Sequence, residues 1–152
     1  MANNNKDVID VLEKLIEYAR DGQNGWRDGA EHAKDPQLKK WMEEVSLQRA
    51  KIAGELESEA VRLGRSDVDR SGSIEGAIHR GWTDLKANLG GGDDAILSSM
   101  ETGDSYAVHG YEKHLNDERL PAEIRGMIRN QMRTIQVALD RVRALRAQHK
   151  AA

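Results

Sequence analysis

The sequence has no cysteine, which excludes disulfides, thiolate metal sites and thiol catalysis together. It has no phenylalanine, and aromatic residues make up only 4% of the chain. A core must therefore be aliphatic, with methionine, tryptophan and tyrosine filling the gaps. Proline occurs only twice, so long stretches are free to be helical. Charge of one sign is also missing. The formal net charge is −3, which provides no general attraction to nucleic acid or to an anionic membrane. No stretch is apolar for long enough to span a bilayer. The opening residues, Met1-Ala2-Asn3-Asn4-Asn5-Lys6-Asp7, show no apolar run behind a basic head. The expected location is the cytoplasm.

What is present points to helices. The chain of 152 residues suits one domain, 1–152, with a single core. Charged residues at 32% beside hydrophobic residues at 38% fit helices with long solvated faces. At about 100° per residue, Val8, Val11, Leu12, Leu15, Tyr18, Ala19, Gly22, Trp26, Gly29 and Ala30 share one face of a first helix over about 5–33. Asp35-Pro36 then supplies a cap and a first-turn proline for a second helix over about 36–63. Its apolar face is Leu38, Trp41, Met42, Val45, Ile52, Ala53, Leu56 and Ala60. A polar loop over 65–72 leads to a shorter helix over about 73–89, with Ile74, Ala77, Ile78, Trp82, Leu85 and Leu89 on one side. Gly90-Gly91-Gly92 stops it, and Asp93 or Asp94 is expected to cap the next helix. Two further long helices follow, over about 94–115 and 121–148.

Short turns make the first and second long helices antiparallel neighbours, and likewise the third and fourth. The connection between these hairpins, about 28 residues, is long enough to travel back along the bundle. The expected fold is all-α: a ferritin-like four-helix bundle whose long crossover contains an additional short helix. A fifth helix packed on a simple bundle is the alternative.

Several strings carry a resemblance. Leu15-Ile16-Glu17 followed by Asp21-Gly22, the Asp35-Pro36 hinge, and above all His79-Arg80-Gly81-Trp82-Thr83-Asp84-Leu85-Lys86 resemble an uncharacterised bacterial four-helix-bundle family of unknown function. The ending Asp140-Arg141-Val142-Arg143-Ala144-Leu145-Arg146 is similar to it too. The resemblance runs from Val8 to Arg146. It implies a ferritin-like fold and a bacterial origin, and carries no reaction with it. One departure bears on metal chemistry: the family pattern often places a histidine before the aspartate of the last segment, and here that residue is Leu139.

A ferritin-like fold invites a di-metal reading. That chemistry needs a glutamate from each of two helices and a Glu-x-x-His from each of the other two, all pointing inward. Residues three apart share a helix face and can reach one metal pair. The chain contains no Glu-x-x-His: the residues three before His32, His79, His109, His114 and His149 are Gly29, Gly76, Tyr106, Tyr111 and Arg146. Glu13, Glu17, Asp28 and Glu31 of the first helix project away from its apolar face and Asp21 sits at its edge; the face carries Gly22 and Gly29 instead, with Gly25 at its margin. Each costs roughly 1 kcal/mol relative to alanine. Close approach of a neighbour such as Trp41 or Trp82 offsets that cost more simply than a cavity lined by backbone.

The polar residues expected inside are Gln48 and Arg49 of the second helix, Asp104, Tyr111 and His114 of the third, and Gln131 of the fourth. In a crossover bundle the helix midpoints meet at one level. Arg49 and Asp104 should then pair, with Gln48 and Gln131 nearby, because an unpaired charge at that depth costs several kcal/mol. A guanidinium fixed there repels a metal cation. The expectation is a core polar network of Gln48, Arg49, Asp104, Tyr111 and Gln131, with no metal and no cofactor.

Other features have plainer explanations. In the crossover signature His79, Arg80, Gly81 and Trp82, the tryptophan faces inward and anchors the crossover; a partner surface on the exposed side is the alternative. The arginines of the fourth helix suit the C-terminal end of its dipole and are expected on a solvated face or paired with Glu55, Glu57 and Glu59. Ile9 and Ile16 form a second stripe that needs cover, from the crossover or from a second copy of the chain. Gly90-Gly91-Gly92-Asp93-Asp94 lacks the lysine and the preceding strand of a phosphate loop. No spacing sets up a nucleophilic triad.

The reading favoured is a non-enzymatic bacterial ferritin-like bundle with a structural, stress-related or protein-interaction role, as a homodimer or with an unidentified protein partner. The alternative is a metal-binding, di-iron-like oxidative or iron-handling protein that uses Asp104, His114 and Tyr111 as non-standard ligands.

Overall fold

The computed structural model describes residues 2–65 and 80–151. Every regular element among them is helical. The helices are α1 (Ala2–His32), α2 (Pro36–Arg62), a 3-10 turn (Arg80–Trp82), α3 (Leu85–Asn88), α4 (Asp93–Leu115) and α5 (Ala122–Ala151). Among the described residues no helix is long and apolar enough to cross a membrane.

The ends of the helices follow from local chemistry. Asp35 caps α2 by accepting a hydrogen bond from the Gln37 backbone N–H at 2.9 Å, and Pro36 occupies the first turn. Lys39 Nζ reaches back to the Ala30 carbonyl at 3.0 Å, satisfying a C-terminal acceptor of α1. At the end of α2, Gly64 adopts a positive φ of 113°. That conformation lets the Gly64 and Arg65 N–H groups turn back onto the Val61 and Ala60 carbonyls.

The start of α4 differs from expectation. Its cap is Gly92, at φ 94°, and no side chain caps it. Asp93 instead turns its carboxylate outward to accept from the backbone N–H groups of Lys34 and Asp35, at 2.8 and 3.0 Å. The same aspartate that suits a helix start thus ties α4 to the corner between α1 and α2.

That tie fixes the topology. α4 begins at the end of the bundle where α2 begins, so α2 and α4 run parallel. α1 is antiparallel to both: Ser46 of α2 donates to the Gln23 carbonyl, and Trp26 of α1 reaches Asp104 of α4. α5 is antiparallel to α4 through Tyr111–Gln131 and Glu101–Arg146, and to α2 through Glu55–Gln131 and Trp41–Arg141. α2 spans about 40 Å at 1.5 Å per residue. The chain between its end and Asp93 must return over that length.

The expected helix over 73–89 is not continuous where it is described. Residues 73–79 lie outside the described residues, and the remainder breaks into the 3-10 turn and the four-residue α3. The break has a packing cause. A Cβ on Gly81 would stand 2.8 Å from Tyr106 Cβ and 3.0 Å from Gly103 Cα, so backbone meets α4 directly here. The tighter 3-10 turn delivers Trp82 into the bundle.

The core falls into two clusters. One, toward the start of α1, is mainly aliphatic: Leu12, Leu15, Ile16, Leu56, Ile124 and Ile128 with Tyr111. The other, toward the end of α1, is built from Trp26, Met42, Trp82, Ile96, Leu97 and Met100. Ile16 of the expected second stripe is buried within the first cluster, while Ile9 is half-buried.

Candidate functional site

Where the two clusters meet, the chain buries a full ion pair. Arg49 and Asp104 are 1% and 0% exposed. The guanidinium donates through two nitrogens to the two carboxylate oxygens, at 2.6 and 2.7 Å. This bidentate geometry is the strongest an arginine makes with a carboxylate. Trp26 Nε1 donates a third hydrogen bond to Asp104 Oδ1 at 3.2 Å, and the Trp26 ring lies 5.6 Å from the guanidinium carbon. The indole therefore serves the pair twice, as a donor to the anion and as a π-face to the cation.

α1 makes room for this. A Cβ on Gly22 would come within 3.0 Å of an Arg49 terminal nitrogen. The other two glycines of that face make room for bulk: Gly25 for the Trp82 ring at 2.5 Å, and Gly29 for the Met100 methyl at 2.9 Å. Gly103 of α4 faces the same indole, where a Cβ would come within 2.1 Å of Trp82 Cε2. Trp82 thus sits in a slot between two glycines on two helices. At all three glycines the bare backbone of α1 meets a side chain from another element.

A second polar chain lies about two turns further along α4. Tyr111, fully buried, donates from its hydroxyl to Gln131 Oε1 at 3.0 Å. Gln131 Nε2 donates onward to Glu55 Oε1 at 3.2 Å, and Glu55 is exposed. Burial pushes the Tyr111 phenol well above its ordinary pKa. The positive charge of Arg49 pulls weakly the other way, and Glu55 adds to the rise.

The expected network therefore resolves into two pieces with a different membership. Gln48 is exposed and belongs to neither. It precedes the inward-facing Arg49 by one residue, about 100° around the helix. Trp26 and Glu55 belong, and sequence reasoning missed both. The signal for Trp26 was available: an indole N–H on a buried face requires an acceptor. Glu55 left no such signal, because an exposed glutamate on a helix is ordinary.

Of the crossover signature, Gly81 and Trp82 are buried, His79 lies outside the described residues, and Arg80 is described only as backbone. Arg129, Arg133, Arg141 and Arg143 of the basic last helix are exposed, as expected of a solvated face, while the alternative pairing with the α2 glutamates is corrected. Arg143 and Arg146 reach Glu101 of α4, holding its carboxyl below the usual range, and Arg141 stacks 4.5 Å above the Trp41 ring. Glu57 is taken by Arg20 and Glu59 by Arg62.

His114 stands apart from Asp104. Ten residues along one helix separate them by about 15 Å, and His114 lines a different cleft of ≈ 480 Å³ at the bundle end with Asp7, Lys14, Lys113, Asp117 and Arg119. Its pKa is lowered, first by burial and then by Lys113, with Asp117 opposing. In the same cleft, hydrogen bonds from the Arg119 side chain and backbone hold the Asp117 carboxyl down at about 2.

These residues do not fit a di-metal centre. The fully buried carboxylate at mid-bundle accepts three hydrogen bonds, two from a guanidinium and one from an indole N–H, and a fixed cation stands where a metal cation would need to enter. Among the described residues no three His, Asp or Glu side chains come together as a ligand set.

A family model described as a domain of unknown function (DUF2383) matches residues 7–117, and the chain belongs to that family. The match takes in α1, α2, the crossover and α4 with both partners of the buried ion pair, and stops before α5. No curated protein matches the chain.

Proposed function

We propose that this is a ferritin-like bundle of bacterial, cytoplasmic origin that works without a di-metal centre, as a non-enzymatic structural or protein-interaction module. A stress-related role fits the same reading. The observation that carries it is the Arg49–Asp104–Trp26 layer. In a one-crossover bundle the inward mid-helix positions are where carboxylates and histidines gather around metals; here they hold a self-neutralising pair. The parallel course of α2 and α4 supports the ferritin-like assignment.

The test is metal content. Protein purified without chelator from iron- and manganese-supplemented cells should carry well below one transition metal per chain by mass spectrometry. Two metals per chain, lost on Asp104→Ala, would overturn the reading and favour an oxidative or iron-handling protein. A homodimer is the simplest assembly for a bundle of this kind, and a sedimenting mass of one chain, 17.0 kDa, in analytical ultracentrifugation would exclude it.

A further inference from the structure

A second concavity lies outside the buried layer. Between α1 and α3 a cleft of ≈ 520 Å³ opens to solvent. Its floor is apolar: backbone at Gly25, the edge of the Trp82 indole, Leu85 and Leu89. Arg27 on the α1 side and Lys86 on the α3 side form its lips, both exposed. The floor exists because residue 25 is glycine, since a Cβ there would come within 2.5 Å of the indole. Trp82 and Lys86 therefore share one cleft, and the buried polar layer uses neither.

We propose that this cleft binds a small amphipathic monocarboxylate, its apolar body on Trp82, Leu85 and Leu89 and its carboxylate between Lys86 and Arg27. The volume lies in the range of small-molecule sites, and around the apolar floor Asn24 and His32 join the charged side chains of the rim. Lys86 forms no ion pair with any described residue, and Arg27 is held to Asp28 only at 3.7 Å, beyond hydrogen-bond distance. Both cations keep donors for a ligand. Asp21 and Asp28 also line the α1 side. Asp21 already has a partner and Asp28 faces Arg27. Their charge disfavours a dianion such as a phosphate monoester more than a single carboxylate. This assignment stands independently of whether the mid-bundle is metal-free.

The experiment titrates the full-length protein with decanoate and, separately, with 1-naphthoate, followed by backbone amide shifts and tryptophan fluorescence. The expected result is saturable shifts at residues 21–32 and 81–89 with one of the two; which one binds tells an acyl from an aryl ligand. Lys86→Glu should weaken that binding about tenfold, the loss of one charge-assisted contact. Lys40→Glu, on exposed α2 surface, should leave it unchanged. The uncharged methyl ester should bind as weakly as the acid binds to Lys86→Glu. Absence of saturable shifts at those residues with either acid up to millimolar concentration would overturn the proposal. So would equal affinities for Lys86→Glu and Lys40→Glu, or equal affinities for acid and ester.

Discussion

Two arginine–aspartate pairs in this bundle have nearly the same geometry and opposite surroundings. Arg49–Asp104 closes at 2.6 and 2.7 Å with both side chains buried. Arg119–Asp117 closes at 2.7 Å at the bundle end, where the arginine is 52% exposed. Distance alone cannot rank them. Water stands ready to replace either partner of the surface pair, so its net worth is small and salt-sensitive. Nothing replaces a partner of the buried pair, so breaking it strands a charge in the core. The lesson concerns function too. A buried carboxylate is a metal ligand only if its neighbours leave it free, and Arg49 does not.

The comparison is sharpened by substitutions that should separate in size. Asp104→Ala leaves both Arg49 and the Trp26 N–H without an acceptor and should cost about 3–5 kcal/mol in urea unfolding. A cost below 1 kcal/mol would make the buried pair behave like the surface one. Gly103→Ala comes next. Its Cβ would stand 2.1 Å from Trp82 Cε2, and overpacking of this kind costs about 1–3 kcal/mol. Gly54→Ala, with nothing within 4 Å, should instead stabilise α2 by about 0.5–1 kcal/mol. Opposite signs in thermal melts would confirm that the glycines beside Trp82 are there for contact.

Tyr111→Phe removes one hydrogen bond and should cost about 1 kcal/mol. It also has a pH signature. A phenol whose folded pKa lies above its ordinary 10.0 keeps its proton in the folded state after the unfolded chain has lost it. Stability then falls as pH rises past about 10, and Tyr111→Phe should flatten that fall in melts from pH 9 to 11. Asp117→Asn should have the smallest effect. The carboxyl pKa is depressed from 3.8 to about 2, so its contribution is present above the ordinary value and is lost as pH drops through the folded one. The wild-type and Asp117→Asn unfolding curves should converge only below about pH 2, and should approach each other in high salt.

Much of the fold was legible because helix physics is local. The faces of α1 and α2, the Asp35-Pro36 junction and the length of the crossover follow from periodicity, capping and reach. The pairing of Arg49 with Asp104 was legible for a different reason: inward charges at matching depth have few partners. What was not legible depends on distant contacts. Asp93 serves a corner 58 residues away, so no local rule assigns it. The helix break at Gly81 is set by α4 backbone, which lies outside the segment. Gln48 was misplaced because its angle lies at the margin of the buried face, where a small difference in helix orientation decides burial. Arg143 and Arg146 find Glu101 rather than α2 because α5 packs more closely against α4 than against α2.

Arg49 and Asp104 stabilise the fold together and not separately. A double-mutant cycle with Arg49→Met, Asp104→Leu and the double variant tests it most directly by urea unfolding. Each single variant should lose about 3–5 kcal/mol, and the double should lose less than either, because an apolar pair of similar volume leaves no stranded charge. Losses that add to within about 0.5 kcal/mol would show two independent side chains, and would contradict the account.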